Sequence, residues 1–301
     1  MEKPINTNLI EEEEYNYHFD YFKEILQHAI NTSKLGGYRI FTDDRKILYT
    51  CILFARLCTI GQSIVLLCSE KKRSDYNSVF SLSRNIIDCS HMLYYLYFDD
   101  ICEKERELRL LGLILYDLND RQRLMSLWED GFNDITDTLM FNVIRHSYGL
   151  NFIRVFLEEY KKKIKFNECF LLLDTETQDS ILRGAHHFIK TTPEKIDKAM
   201  GIINKNCYKA LYKTLSSSVH SFPMTNNTNY IYGLGAETVY ERSFKAYALY
   251  HCADYLKFCT KNIIEKLYFN YKETFDDDEM DDLELILGEV SRTHRDPDRC
   301  L

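Results

Sequence analysis

Apolar positions recur at three- and four-residue steps along most of this chain, the spacing of helices that lay one face on a core. The spacing predicts a first amphipathic helix over 8–33, closed by Gly36 and Gly37. Asp43 and Asp44 open a second helix over 44–72, and a third follows over 75–98. A charged, amphipathic fourth helix over 102–130 ends at Gly131, and residues 132–190 read as two or three shorter helices with polar breaks. In TTPEKIDKAMG (191–201), Thr191 and Glu194 have capping-box spacing and Pro193 falls in the first turn. A helix over 202–219, a loop over 221–235 and a last long helix over 236–271 complete the pattern. A short helix is expected at 279–290.

Only 4 prolines and 11 glycines interrupt 301 residues, too few for a turn-rich all-β fold. No repeat of 20–50 residues is evident. The predicted fold is all-α: a single multi-helix bundle of long antiparallel helices over 1–272, with an acidic C-terminal extension over 273–301 that is partly disordered.

The stretch 47–69, ILYTCILFARLCTIGQSIVLLCS, is long enough to span a bilayer. Arg56 at its centre, Gln62 and several Thr and Ser speak against that, and no second stretch of this kind occurs. The expectation is a central helix buried on all sides, with no membrane partner.

Charge is unevenly placed. The net charge is −8, and residues 273–284 hold eight acids and no base, so the remainder of the chain is neutral. A neutral body lacks the excess Lys and Arg on which nucleic-acid binders lean. The acidic extension is expected to be solvated, with contact to a protein partner as the functional reading. Ten cysteines are scattered without any CxxC pair, and the N-terminus MEKPINTNLIEEEE has no signal-peptide pattern. Both point to reduced, mostly buried thiols and a cytoplasmic setting. No Cys/His cluster has zinc spacing, and no cofactor is expected.

Two helices carry residues suited to chemistry. Between Tyr76 and Phe98 the only formal charges are Arg84 and Asp88, four apart and so on one face, a line that His91 and Tyr95 continue. Charges in so apolar a helix are costly unless paired. They form either a clamp that fixes helix register, joined by Arg56, or a polar pocket inside the bundle. Asp88 and His91 also have the acid-x-x-His spacing of half a bundle di-metal site, but no second such motif exists and no metal is expected.

The second helix ends YKALYKTLSSSVHSFP (208–223). Tyr208, Leu211, Tyr212, Leu215 and Val219 follow core spacing, with Lys209, Lys213, Ser216, Ser217 and His220 on a line beside them. Lys213 and His220 are two turns apart, roughly 10 Å. Either His220 caps the last turn while the serines permit close packing, or its imidazole serves acid–base chemistry beside a low, serine-lined surface.

The stretch SLSRNIIDCSHMLYYLY resembles the pattern A-x-x-R-x-x-x-E of a bacterial helical family catalogued as domain of unknown function 5677, with Asp88 where the family has Glu. KIDKAMGIINKNCYKALYKTLSSSVHSFP is similar to the Y-x-x-x-Y-x-x-L-S-x-x-V-H pattern of the same family, over a shared core of about 45–270. The resemblance implies an all-α, cytosolic protein and carries no established activity.

A more distant similarity is to helical ribonucleases of the HEPN superfamily, whose motif is Arg, four to six residues, then His. Here Lys213 stands in the Arg position before His220, which removes bidentate phosphate recognition, and Arg84 would supply the guanidinium. That similarity implies a metal-independent RNA phosphodiesterase in phage defence or a toxin system. Its site would form across a homodimer, with His220, Lys213, Arg84 and Asp88 catalytic and Arg56, His91, Tyr95, Ser216 and Ser217 binding. The other reading is a non-enzymatic helical interaction module with a structural Arg/Asp/His polar core.

Overall fold

A computed structural model describes residues 12–37, 45–69, 76–131, 142, 153–185, 188–202, 205–219 and 239–293, and no strand occurs among them. The chain forms two compact units: Met1–Phe98 together with Glu194–Leu301, and Asp99–Pro193.

In the first unit the long helices are α1 (Glu12–Gly37), α2 (Arg45–Ser69) and α3 (Tyr76–Leu93). A turn of π-helix, Tyr94–Phe98, continues α3. Three acids in the first turn of α1 and Lys34 in its last complement the helix dipole. Helices α1 and α2 run antiparallel: Tyr15 bonds the Cys68 carbonyl at the start of α1, and Leu26 lies against Gly61 further on. A Cβ at Gly61 would run into that leucine, so glycine sets how closely the pair packs.

Later in the chain come α8 (Pro193–Met200), α9 (Lys205–Val219), α10 (Val239–Asn262) and α11 (Asp277–Arg292). A π-helical turn, Ile263–Tyr268, and a 3-10 turn, Phe269–Thr274, extend α10. Helix α10 packs on α1 and α3, α9 lies on α3, and α11 lies on α1 and α10. The α3–α10 seam is built from small residues in register: Ser83 meets Cys252 and Ser90 meets Cys259, each pair seven residues beyond the last. Tyr76 stacks on Phe244 and Phe98 sits edge-on to Phe258, so the two helices run parallel. The sequential helices α1–α3 are thus antiparallel as expected, while α10 returns in the direction of α1 and α3. The core it fills includes Phe22, Phe54, Phe80, Ile86, Leu249 and Leu256.

Three local expectations change. Helix α1 runs past the expected end at 33 to Gly36 and Gly37, its last two residues, and the Tyr268 ring occupies the space where a Cβ on Gly36 would stand. Helix α2 is not buried on all sides. Phe54, Leu57 and Ile64 face the core, while Leu48, Ile52 and Leu66 are exposed on the outward face with Arg56 and Gln62. By length and composition α2 could cross a membrane, and a third of its most apolar window is buried (33%). The acidic stretch is helical over more residues than expected. Asp276 and Glu279 form a reciprocal capping box that starts α11, and Leu283, Ile286 and Val290 are buried along one stripe. Asp277, Asp278, Asp281, Asp282 and Glu284 face outward.

The second unit is α4 (Glu103–Gly131) with α5 (Ile153–Lys165), α6 (Glu168–Leu171) and α7 (Thr175–Leu182) packed on it. Leu108, Leu111 and Leu115 of α4, with Leu157, Ile164, Phe170 and Ile181 from the shorter helices, make its core. Asn167 caps α6 and donates its amide to the Lys104 carbonyl at 2.9 Å, which ties the short helix to the start of α4. Asp174 caps α7.

Candidate functional site

The charged stripe of α3 meets the tyrosines of α9. Arg84 and Asp88, one turn apart, pair at 3.6 Å. Tyr212 reaches between them: its hydroxyl donates to Asp88 Oδ1 at 3.0 Å and accepts from Arg84 Nη2 at 3.3 Å. The guanidinium carbon also lies 5.0 Å from the Tyr212 ring centroid, a cation–π contact. The cluster is half-buried, with the Arg84 side chain 25% and the Asp88 side chain 44% exposed. Arg84 Nε, the atom that faces Asp88 Oδ2, is itself buried and makes no hydrogen bond among the described residues. Burial, and then the charge of Asp88, push the Tyr212 phenol upward, so it stays protonated and able to donate.

One turn further along α3 the surroundings close. His91 is buried and stands 3.5 Å from Asp197 Oδ1, a carboxylate from α8 that is equally buried. The hydroxyl of Tyr255, from α10, donates to the same oxygen. The rings of Tyr208 and Tyr255 flank the imidazole at 5.6 and 6.0 Å. Tyr208 in turn lies 5.6 Å from Tyr212, so aromatic contacts connect the open cluster to the closed one. Burial is the first cause that raises the phenols of Tyr208 and Tyr255, with the Asp197 charge acting in the same direction on both. Asp197 Oδ2 and both His91 nitrogens have no hydrogen-bond partner among the described residues. Four helices therefore converge here, with an arginine–carboxylate–tyrosine cluster at the rim and a sealed imidazole–carboxylate–tyrosine cluster below.

The remaining candidate residues are placed as follows. Tyr95 is fully buried in the π-turn that continues α3. Arg56 is exposed on α2, where its charge works against the burial that raises the Cys89 thiol, and makes no ion pair with Asp88 among the described residues. Lys213 is exposed on α9, next to Tyr212. Ser216 and Ser217 donate back to the Tyr212 and Thr214 carbonyls, so their hydroxyls serve the helix. His220 lies outside the described residues. Asp88 and His91 engage different partners, and the described residues contain no group of three or more His, Cys, Asp or Glu placed to hold a metal ion.

Sequence reasoning missed four members of the site: Tyr208, Tyr212, Asp197 and Tyr255. The first two were read as core-facing residues. Asp197 could have been found, because it sits between Ile196 and Met200 on the apolar stripe of its short helix. Tyr255 lies in an apolar stretch of α10 and carries no distinguishing local signal.

The pattern of the Family of unknown function (DUF5677) matches residues 48–232, more than half of the chain. The chain belongs to this family. The two segments that resemble the DUF5677 patterns are those that meet at the rim, where Arg84 and Asp88 come from the first and Tyr212 from the second. Tyr255 lies beyond the matched residues. No curated protein and no solved structure matches the chain.

Proposed function

We propose that this DUF5677 protein is an RNA phosphodiesterase of the HEPN-like kind, with Arg84 as its phosphate anchor. One observation carries the reading: the two family segments converge on a partly exposed guanidinium that is oriented by Asp88 and Tyr212. A non-bridging phosphate oxygen would meet the solvent-facing edge of that guanidinium. As the RNA 2′-oxygen attacks phosphorus, charge grows on those oxygens and the guanidinium stabilises it. His220, one residue beyond α9, takes the 2′-proton. The bond from phosphorus to the 5′-oxygen breaks, leaving a 2′,3′-cyclic phosphate, and a second imidazole returns a proton to the leaving oxygen. In a homodimer that imidazole is the His220 of a second copy. Lys213, exposed beside Tyr212, adds positive charge along the path of the strand.

The test is cleavage of a labelled RNA in EDTA by wild type, His220→Ala and Arg84→Gln. Cleavage by wild type is expected, with a loss on the order of 10²–10⁴ for His220→Ala and on the order of 10²–10³ for Arg84→Gln. Equal cleavage by all three would sink the assignment.

The second reading, a non-enzymatic interaction module, is favoured by a different observation. Arg84 and Asp88 already neutralise each other, and His91 is sealed beneath them. The outward acidic face of α11 would then be the contact surface for a protein partner. Absence of cleavage in every sample, together with unchanged RNA retention after Arg84→Gln, favours this reading.

A further inference from the structure

The second unit holds two cysteines that no feature of the sequence pairs. Cys102 Sγ and Cys169 Sγ lie 3.9 Å apart, although 67 residues separate them in the chain. Cys102 is exposed and Cys169 half-buried. Cys102 stands at the N-cap of α4, where its carbonyl accepts from the amides of Glu105 and Arg106 at 3.1 and 3.0 Å. Its side chain is therefore outside the helix and free of the crowding that restricts rotamers within one. Cys169 is held in the short helix α6, whose cap Asn167 accepts from the Cys169 amide at 2.9 Å and donates to the Lys104 carbonyl. One asparagine thus keeps the two sulfurs side by side. A disulfide needs them about 2 Å apart, a closure that side-chain rotation at Cys102 can supply.

We infer that Cys102 and Cys169 form a redox-responsive dithiol, closed to a disulfide by small-molecule disulfides of the glutathione type. The exposed Cys102 thiolate attacks one sulfur of the oxidised tripeptide and expels one glutathione thiolate. The Cys169 thiolate then attacks Cys102 Sγ in the mixed disulfide and expels the second. The protein gives up two electrons and two thiol protons, and two reduced glutathione molecules take them up. Cys102 goes first because it is open to solvent.

The surroundings fit these roles. Lys190 pairs with Glu105 at 3.4 Å, from a backbone position with φ of 61°. Burial and then Cys102 itself raise the Cys169 thiol, while the Lys190 charge acts to lower it, as suits a resolving thiol that should not react with reagent directly. The other described thiols differ. Burial pushes Cys51 and Cys68 up to about 11 and Cys58, Cys252 and Cys259 up to about 12, which leaves almost no thiolate at neutral pH. The dithiol lies wholly within residues 99–193 and its chemistry is independent of the Arg84 site.

The experiment is peptide mapping of the full chain after treatment with oxidised glutathione, with free thiols alkylated and no reductant used. A cross-linked peptide pair joining Cys102 to Cys169, lighter by two hydrogens than its two parts, is expected, and dithiothreitol should abolish it. Cys169→Ser should trap Cys102 as the glutathione adduct, and Cys102→Ser should leave Cys169 unmodified. Recovery of both cysteines as separate alkylated peptides from folded wild type would overturn the proposal. So would a Cys102 cross-link to a different cysteine, or an unmodified Cys102 in Cys169→Ser.

Discussion

Arg84 and Arg109 each pair with a carboxylate one helical turn away, and their surroundings make them different objects. Arg109, in the second unit, is 4% exposed and grips two acids, Asp99 at 2.7 Å and Glu105 at 2.9 Å. Arg84, in the first, is 25% exposed, meets Asp88 at 3.6 Å and leans on a tyrosine ring. A guanidinium removed from water must have its charge met at close range by the protein, and removing it strands the carboxylates it served. A half-exposed guanidinium stays partly hydrated, so its pairing adds little to stability and its donors can be lent to a ligand. Arg109 therefore reads as a structural fastening and Arg84 as an available cation.

The largest expected effect is at the sealed arginine. Arg109→Met should lower unfolding free energy by about 3 kcal/mol, measured by urea titration at neutral pH. A loss as small as that of Arg84→Gln would erase the distinction. Next comes the closed part of the candidate site. Tyr255→Phe takes away the hydrogen bond to buried Asp197 and should cost about 2 kcal/mol in the same titration.

That difference has a pH signature. The Tyr255 phenol is raised in the folded chain, so the stability its protonated form contributes is whole below the ordinary tyrosine value and is lost as pH climbs towards the folded one. The gap between wild type and Tyr255→Phe should hold from neutrality to about pH 10, then narrow by about 1.4 kcal/mol for each further pH unit. A gap that widens above pH 10 would contradict the burial of the phenol. The smallest stability effect belongs to Arg84→Gln, below about 1 kcal/mol, although it is expected to weaken RNA cleavage. A stability loss matching that of Arg109→Met would instead mark Arg84 as a clamp.

The legible part of the candidate site was the part within one helix. Arg84 and Asp88 are one turn apart, and helical geometry alone places them on one face. Their tyrosine lies 124 residues beyond Asp88, and although the family pattern marks Tyr208 and Tyr212, the apolar spacing of α9 does not say what Tyr212 meets. His91 was visible as the continuation of the stripe, but its partner Asp197 comes from a helix more than a hundred residues later. The serines read as a low docking surface instead bond back to their own helix. Helix α2 shows a similar limit. An apolar run looks the same whether it is wrapped by neighbours or covered on one side, and α2 is covered on one side.

By itself the sequence determined the helices, the family and the stripe on α3, because these rest on backbone periodicity and short spacings that act within a few residues. The capping box of α11 is equally local, although the expected helix start at 279 passed over it. Tertiary structure alone decided that α10 runs parallel to α3, that Tyr212 and Asp197 complete the two clusters, and that Cys102 meets Cys169. Each of those contacts joins residues far apart in the chain. Which of the many possible distant pairs forms is settled by how whole helices bury their apolar faces together, a choice that no local stretch encodes.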